Sequence, residues 1–394
     1  MDQTIGNMRI HFYGVQGSAS IFPSRSEREE IQRHSDLHLL QQVFEDLSKT
    51  TECDGSFKHT LESVIGGPVN RKTLLAYRDK LDLSEQRSYG GWTTCIRIET
   101  SDGSDLVFDC GSGFRNCAGD LVSKWGDLAE RHLYIFGTHA HYDHTEGFDQ
   151  AAVCFDPRNH IHVYGNYYFL KALDMNLGIF SHRVDLNTMG IQTPLTYEKM
   201  PANFDAVEIR DLERFSAPYN DPMVKEYHDL YDPIVIGKTT IQPFEVFHPD
   251  PCIGYRIEHE GKVFVYCTDH ELRRGDDPED PLQKASLAAE ERLISLATGA
   301  DLLYRDGQFL RIEYDGHQGI GSPFGVPRMD WGHSCIEDVV DMAERCGIPQ
   351  TYIGHHDPMR TWAERNWIDE TLSRRSEQAG LKFQLAKAET VIEL

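Results

Sequence analysis

No Cys-x-x-Cys pair occurs anywhere in this chain of 394 residues, although it holds nine cysteines. They lie at 53, 95, 110, 117, 154, 252, 267, 335 and 346, an odd set that argues against a disulfide framework and against a thiolate zinc knuckle. Cys95, Cys110 and Cys267 sit in apolar runs and read as small buried hydrophobes. Basic residues are scarce: Lys and Arg number 39 against 63 Asp and Glu, a net charge of −24. That deficit opposes a broad nucleic-acid face and docking on an anionic membrane. It does not oppose a small anionic substrate, because a bound metal can reverse the local field. An apolar run of 18 residues is missing, so no membrane-crossing helix is expected. The opening MDQTIGNMR has no basic start followed by an apolar core, so no secretory signal is expected either. The expectation is a cytoplasmic protein of a reducing compartment.

What the chain does have is histidine, 19 in all. The histidines fall on a recognisable framework. Residues 8–13, 93–99, 105–109 and 132–136 alternate like strands, and further strands are expected at 160–164, 234–247, 253–258, 262–267 and 350–353. Helical patterns cover 282–298, 335–346 and 361–379. The fold class expected is α/β layers around sheet, with chemistry on the strand-end loops. Residues 24–86 interrupt the strand series and read as helical. Ser26 and Glu29 have capping-box spacing, Ile31, Leu39, Leu40, Val43, Phe44 and Leu47 follow, and 70–81 restarts a helix after Gly66-Gly67-Pro68. The reading is one domain over 1–394 with a helical insertion at 24–86. Residues 165–233 look irregular.

Thr138-His139-Ala140-His141-Tyr142-Asp143-His144 places three imidazoles and a carboxylate directly after a strand. Neutral imidazole and carboxylate are the usual ligands of zinc and related divalent ions. Four potential ligands so close together exceed the usual three of a single catalytic ion and suggest two adjacent metals. His or Asp then recurs at strand ends: His248 after Phe247, Asp269 after an apolar run, His333 in Trp331-Gly332-His333-Ser334, and His355-His356-Asp357-Pro358. Each alone is a weak signal. An isolated His is more often structural, and Asp after a strand is often a helix cap. Their recurrence carries the argument.

On these residues the chain resembles the metallo-β-lactamase fold superfamily, and within it the phosphodiesterase branch of RNase Z and the cyclic-nucleotide or cyclic-phosphate phosphodiesterases. The resemblance rests on the 138–144 motif, Gly14-Val15-Gln16-Gly17-Ser18, Tyr89-Gly90-Gly91-Trp92-Thr93-Thr94-Cys95 and Phe108-Asp109-Cys110-Gly111-Ser112-Gly113. It continues through His248, Gly254-Tyr255-Arg256-Ile257, Thr268-Asp269, Gly332-His333-Ser334 and His355-His356-Asp357-Pro358, from about residue 8 to 360. It implies an αββα sandwich with metals at one edge. It places His139, His141 and His248 on a first metal, Asp143, His144 and His355 on a second, and Asp269 as the bridge. His333 matches a residue acting on the phosphate or leaving group, Asp143 joins it as catalytic, and Asp109 matches a buried brace of the motif loop. The cofactors implied are two divalent ions, Zn first, with Mn or Fe as alternatives. Trp92 departs from the Asn common in relatives, and the insertion exceeds the usual short turn. His356 has no assigned role.

The activity this implies is hydrolysis of a small phosphodiester, a cyclic nucleotide or cyclic phosphate, by a hydroxide held between the metals and a leaving group assisted by His333. The alternatives are an RNase Z-like tRNA 3′-processing endonuclease, a lactonase-type hydrolase, and a metal-binding regulatory protein without turnover. The partner expected is a small phosphodiester substrate, with no nucleic-acid polymer and no membrane; a homodimer is left open.

Overall fold

The computed structural model describes residues 8–56, 58–81, 89–184, 195–215, 221–317 and 325–394. Residues 82–86 of the expected insertion and parts of the 165–233 region lie outside the described residues. Two sheets form the centre of the molecule. The first takes β1 (Met8–Gly14), β2 (Cys95–Thr100), β3 (Asp105–Phe108), β4 (Arg131–Phe136), β5 (Asn159–Gly165), β6 (Asn203–Arg210) and β7 (Glu226–Asp229) in that order. The second takes β8 (Ile234–Ile236), β9 (Thr239–Val246), β10 (Cys252–His259), β11 (Lys262–Cys267), β12 (Leu302–Asp306), β13 (Gln350–Gly354) and β14 (Lys382–Leu385). The short β15 (Val391–Glu393) returns to the first sheet beside β1.

Each sheet begins antiparallel and turns parallel. β1, β2 and β3 alternate in direction, whereas β3 to β7 run together. β8 to β11 alternate, whereas β11 to β14 run together. Parallel neighbours need a crossover, and helices supply several of them. Outside the 22–88 segment these helices are numbered on from α4, after the three helices within it: α4 (Phe114–Trp125), α5 (Tyr167–Leu177), α6 (Pro281–Ala297), α7 (Arg311–Tyr314), α8 (Ile336–Cys346) and α9 (Trp362–Ala379). Leu133, Ile135, Ile161 and Val163 pack one face of the first sheet on Phe114, Leu121, Phe169 and Leu173 of α4 and α5. Its other face meets the second sheet through Phe12, Ile98, Phe108 and Phe136 against Tyr255, Phe264, Tyr266 and Tyr304. α6, α8 and α9 lie against strands of the second sheet. The result is the expected αββα sandwich. No helix among the described residues is long and apolar enough to cross a membrane.

The strand reading needs two corrections. The run 234–247 is two strands, because Gly237 takes a left-handed φ of 56° and turns the chain between β8 and β9. The region 165–233 holds α5, β6 and β7 in addition to loops. β7 (EYHD) has no apolar alternation, so its pairing with β6, not its own pattern, makes it a strand.

Residues Phe22–Ser88 form a compact unit of their own, apart from the unit made by the rest of the chain. It holds α1 (Arg25–Lys49), α2 (Leu61–Ile65) and α3 (Arg71–Arg78). The capping box of α1 is Ser24 with Glu27, two residues earlier than the expected Ser26 and Glu29. None of α1 is buried, so its expected apolar positions build no core, and exposed pairs such as Arg25–Glu29 support the helix locally. Tyr77 of α3 donates to Asp46 of α1 at 2.7 Å. In the main unit, Ile21 N donates to Gly91 O at 2.9 Å, so the chain leaves and re-enters at adjacent points. A short Gly/Ser linker in place of residues 22–88 is therefore expected to leave the main unit folded and its metal content unchanged, read by thermal unfolding and elemental analysis. A collapsed melting transition would show that the main unit depends on the insertion.

Candidate metal centre

β1, β3, β4, β9, β11, β12 and β13 share one direction within their sheets and end at one edge. Loops at the carboxyl ends of such strands are where open α/β sheets collect functional side chains. After β3 comes Asp109, after β4 His139 to His144, after β9 His248, after β11 Asp269 and after β13 His355, while Asp306 is the last residue of β12. Asp109, Asp269 and His355 all adopt positive φ, of 59°, 26° and 54°. Such conformations are costly for residues with a Cβ and persist where the surrounding structure imposes them.

Two clusters result. His139, His141, His248 and Asp269 bring one ligand atom each to within 4.8 Å of one another, and so do Asp143, His144 and His355. Asp269 faces both. Its Oδ2 lies 3.5 Å from His139 Nε2, and its Oδ1 lies 3.2 Å from both His144 Nε2 and His355 Nε2. Asp143 Oδ2 is 3.1 Å from His355 Nε2 and accepts from Ser18 N at 2.7 Å. A Cβ at Gly17 would run into the His355 imidazole, which explains glycine in the β1-end turn.

The outward ring nitrogens are tied down separately. Asp109 is fully buried and accepts from Thr138 N (2.8 Å), Tyr266 hydroxyl (2.8 Å) and His144 Nδ1 (2.9 Å). His139 Nδ1 lies 3.0 Å from Thr138 Oγ1, which itself donates to Asp109. These contacts fix which nitrogen of each ring points inward. Burial holds His139 well below the ordinary imidazole range, with His144 adding to it. Burial also pushes His248 down to about 3. For Asp143 and Asp269 burial favours the neutral acid, but the surrounding histidines outweigh it and hold both well below the usual carboxylate range.

A divalent cation suits this donor set. The buried His139 Nε2 and Asp269 Oδ2 have no hydrogen-bond partner among the described residues. Unpaired buried polar atoms are costly unless something such as a cation takes them. His139 and His248, held neutral, are in the state in which imidazole coordinates, whereas burial of His144 is outweighed by Asp269, Asp143 and Asp109, which hold it well above the ordinary imidazole range, so a cation there would displace its proton.

His333 stands at the border. Its Nδ1 lies 3.0 Å from Asp306 Oδ2, which also accepts from Ser334 N. Its ring stacks on His355 with centroids 4.7 Å apart, and with Asp269 and His355 it forms a third group of potential ligands. Burial lowers its pKa, but Asp306, with Asp269 and Asp143, outweighs burial and pushes it up to about 9. His356 belongs elsewhere. It is buried, its Nε2 donates to Ala386 O at 2.7 Å, and its carbonyl accepts from Gly17 N, so it braces the β1-end turn. Trp92 is half-buried, and its carbonyl accepts from Val15 N and Gln16 N.

The sequence reading missed Asp306, although LLYRD repeats the strand-then-acid pattern that marks Asp269. It also missed Glu271, whose carboxylate accepts from Asp330 N (2.9 Å), Gly332 N (2.8 Å) and the Tyr314 hydroxyl, clamping the loop before His333. Glu271→Ala would strand these buried donors. We expect a stability loss of about 2–4 kcal/mol with metal content kept, measured by urea unfolding and elemental analysis.

Residues 105–356, more than half of the chain, match the family profile of the beta-lactamase superfamily domain. Among solved structures the chain is similar to Zn2+-bound PqqB from Methylobacterium extorquens, with 11% identity, TM-score 0.53, and coverage of 98% of this chain and 100% of that one. It is also similar to the metallo-beta-lactamase fold protein YhfI from Bacillus subtilis, with 13% identity, TM-score 0.49, and coverage of 98% and 99%. A third is human tRNase Z, short form, with 14% identity, TM-score 0.46, and coverage of 98% of each chain. No curated protein sequence matches significantly. With its two-sheet sandwich and the histidine and aspartate clusters at one edge, the chain belongs to the beta-lactamase superfamily domain family and has the metallo-β-lactamase fold.

Proposed function

We propose that the protein is a dinuclear metal-dependent phosphodiesterase acting on a small substrate, a cyclic nucleotide or another cyclic phosphate. One observation carries the dinuclear part: the two oxygens of Asp269 face different clusters, Oδ2 toward His139 and Oδ1 toward His144 and His355. His139, His141 and His248 would hold one ion, Asp143, His144 and His355 the other, and Asp269 both. Zinc fits this set of imidazoles and carboxylates best. Bound there, two divalent ions would supply an activated water and neutralise phosphate charge.

The chain's own residues do the rest. Asp109 and Thr138 orient the imidazoles of the motif. Asp143 is held by Ser18 N and the His355 ring. His333, oriented by Asp306, donates a proton to the departing alkoxide. The net charge of −24 favours a small substrate over tRNA.

The test is direct. Purified protein is analysed for metal and assayed on bis(p-nitrophenyl) phosphate, then on a panel of cyclic nucleotides and on precursor tRNA. Two ions per chain with turnover of a cyclic nucleotide is the expected result. Turnover of precursor tRNA alone would replace this reading with tRNA maturation. Metal binding without hydrolysis of any phosphodiester would leave a binding protein.

The main unit gives way to the insertion after Ile21, next to Ser20, whose hydroxyl lies 2.6 Å from Ser112 Oγ and 3.2 Å from Glu146, close in sequence to His144. On that basis the linker variant of residues 22–88 is expected to change KM or substrate preference without loss of metal. Unchanged kinetics on the best substrate would make the insertion a peripheral addition.

A further inference from the structure

The three imidazoles of the 139–144 motif are not held alike. His139 and His144 are fully buried, and their outward nitrogens meet Thr138 and Asp109 inside the protein. His141 is the exposed member, with 43% of its side chain accessible. Its Nδ1 points inward, 3.4 Å from His248 Nε2. Its Nε2 lies 2.8 Å from Asp250 Oδ2.

Asp250 comes from the same short loop as His248, in His248-Pro249-Asp250-Pro251. The flanking prolines restrict the backbone on both sides. The loop is also pinned at its ends. Glu271 N donates to Phe247 O at 2.8 Å, and Asn166 Nδ2 donates to Pro251 O at 2.8 Å and to Thr138 O at 3.0 Å. One loop therefore carries a member of the first cluster and reaches back to another member of it. As an exposed ion pair, Asp250 with His141 would add little to folding stability. As an orienting contact it fixes the ring and leaves Nδ1 as the inward donor, just as Asp109, bound to Nδ1 of His144, leaves that ring's Nε2 inward.

We infer that Asp250 is a positioning residue for His141 and sets the affinity of the His139–His141–His248 cluster for its divalent ion. The inference rests on the proposed metal reading and adds a residue to it. In this role Asp250 acts through the His141 ring.

The experiment is chelator competition on the full chain reloaded with Zn2+, following release of each ion. Asp250→Ala should weaken one of the two ions by about 10–100-fold and leave the other within twofold of wild type. Asp250→Asn keeps an acceptor without the charge and should fall between. Thermal unfolding of the metal-free protein should be the same for all three, since the carboxylate is 59% accessible. His139→Ala, which removes a member of the same cluster, should abolish the ion that Asp250→Ala weakens. If wild type takes up no metal, the metal reading falls and the inference with it. If wild type binds two ions and Asp250→Ala matches it, the inference alone falls. Equal loss of both ions, or a lowered metal-free melting temperature, would also overturn it, because either would mean a structural role.

Discussion

Asp269→Ala is expected to release both metal ions together and to lower kcat/KM on any phosphodiester by about 10³-fold or more, because several kcal/mol of charge stabilisation go with the ions. The reason is the geometry of one carboxylate whose oxygens serve two clusters. Truncating any other member should affect one cluster first. Asp269→Asn sharpens the test. An amide offers one oxygen and one N–H₂ group, so it can serve one ion but repels the other. It should retain about one ion per chain, by elemental analysis after dialysis. Two ions retained in Asp269→Ala would show that the clusters do not share this residue.

His333→Ala is expected to keep both ions but to lower kcat by about 10²–10⁴-fold on a substrate with a poor leaving group, such as a cyclic nucleotide. The loss should shrink sharply with a p-nitrophenolate leaving group, which needs little proton donation. The imidazole is held through Nδ1 by Asp306, outside the two clusters that Asp269 joins. Asp306→Asn should reproduce part of the effect, because the amide still orients the ring but no longer favours its protonated form. Loss of metal in His333→Ala would make it a ligand, consistent with the third grouping of Asp269, His333 and His355. Equal impairment on both substrates would remove it from the leaving-group role.

The parts of this site legible in the sequence are those written locally. The motif from His139 to His144 lies on one tight turn, so its ligand character needs no knowledge of the fold. His248, Asp269 and His355 could be read because each follows an apolar strand, and a strand end projects its next residues to an edge. Glu271 and Asp250 could not be read in the same way, and Asp306, although it ends an apolar strand much as Asp269 follows one, gives no sign of its partner. Asp306 reaches His333 because β12 pairs between β11 and β13, a matter of sheet order. Glu271 meets donors some sixty residues away in sequence. Asp250 looks like a loop residue between prolines until the loop is seen against His141. The split of 234–247 at Gly237 is hard to read because apolar residues resume at Ile241 after only a short polar stretch, so the two strands look like one run.

The ligand positions also have a consequence for chain topology. His139 to His144 extend from the first sheet, whereas His248, Asp269 and His355 extend from the second. Ions bound across them would cross-link two layers that otherwise meet through side-chain packing and a few hydrogen bonds, such as Tyr266 to Asp109 and Ile253 N to Thr138 O. The chain segments closed by such links are on the order of 100 residues, a length at which a covalent cross-link is worth about 4–5 kcal/mol in chain-entropy terms. The two halves of the sandwich would then resist separation as a riveted pair, and a chelator would act on them as a reductant acts on a disulfide-bonded protein. Protease would find the inter-sheet seam more readily in the stripped protein than in the loaded one.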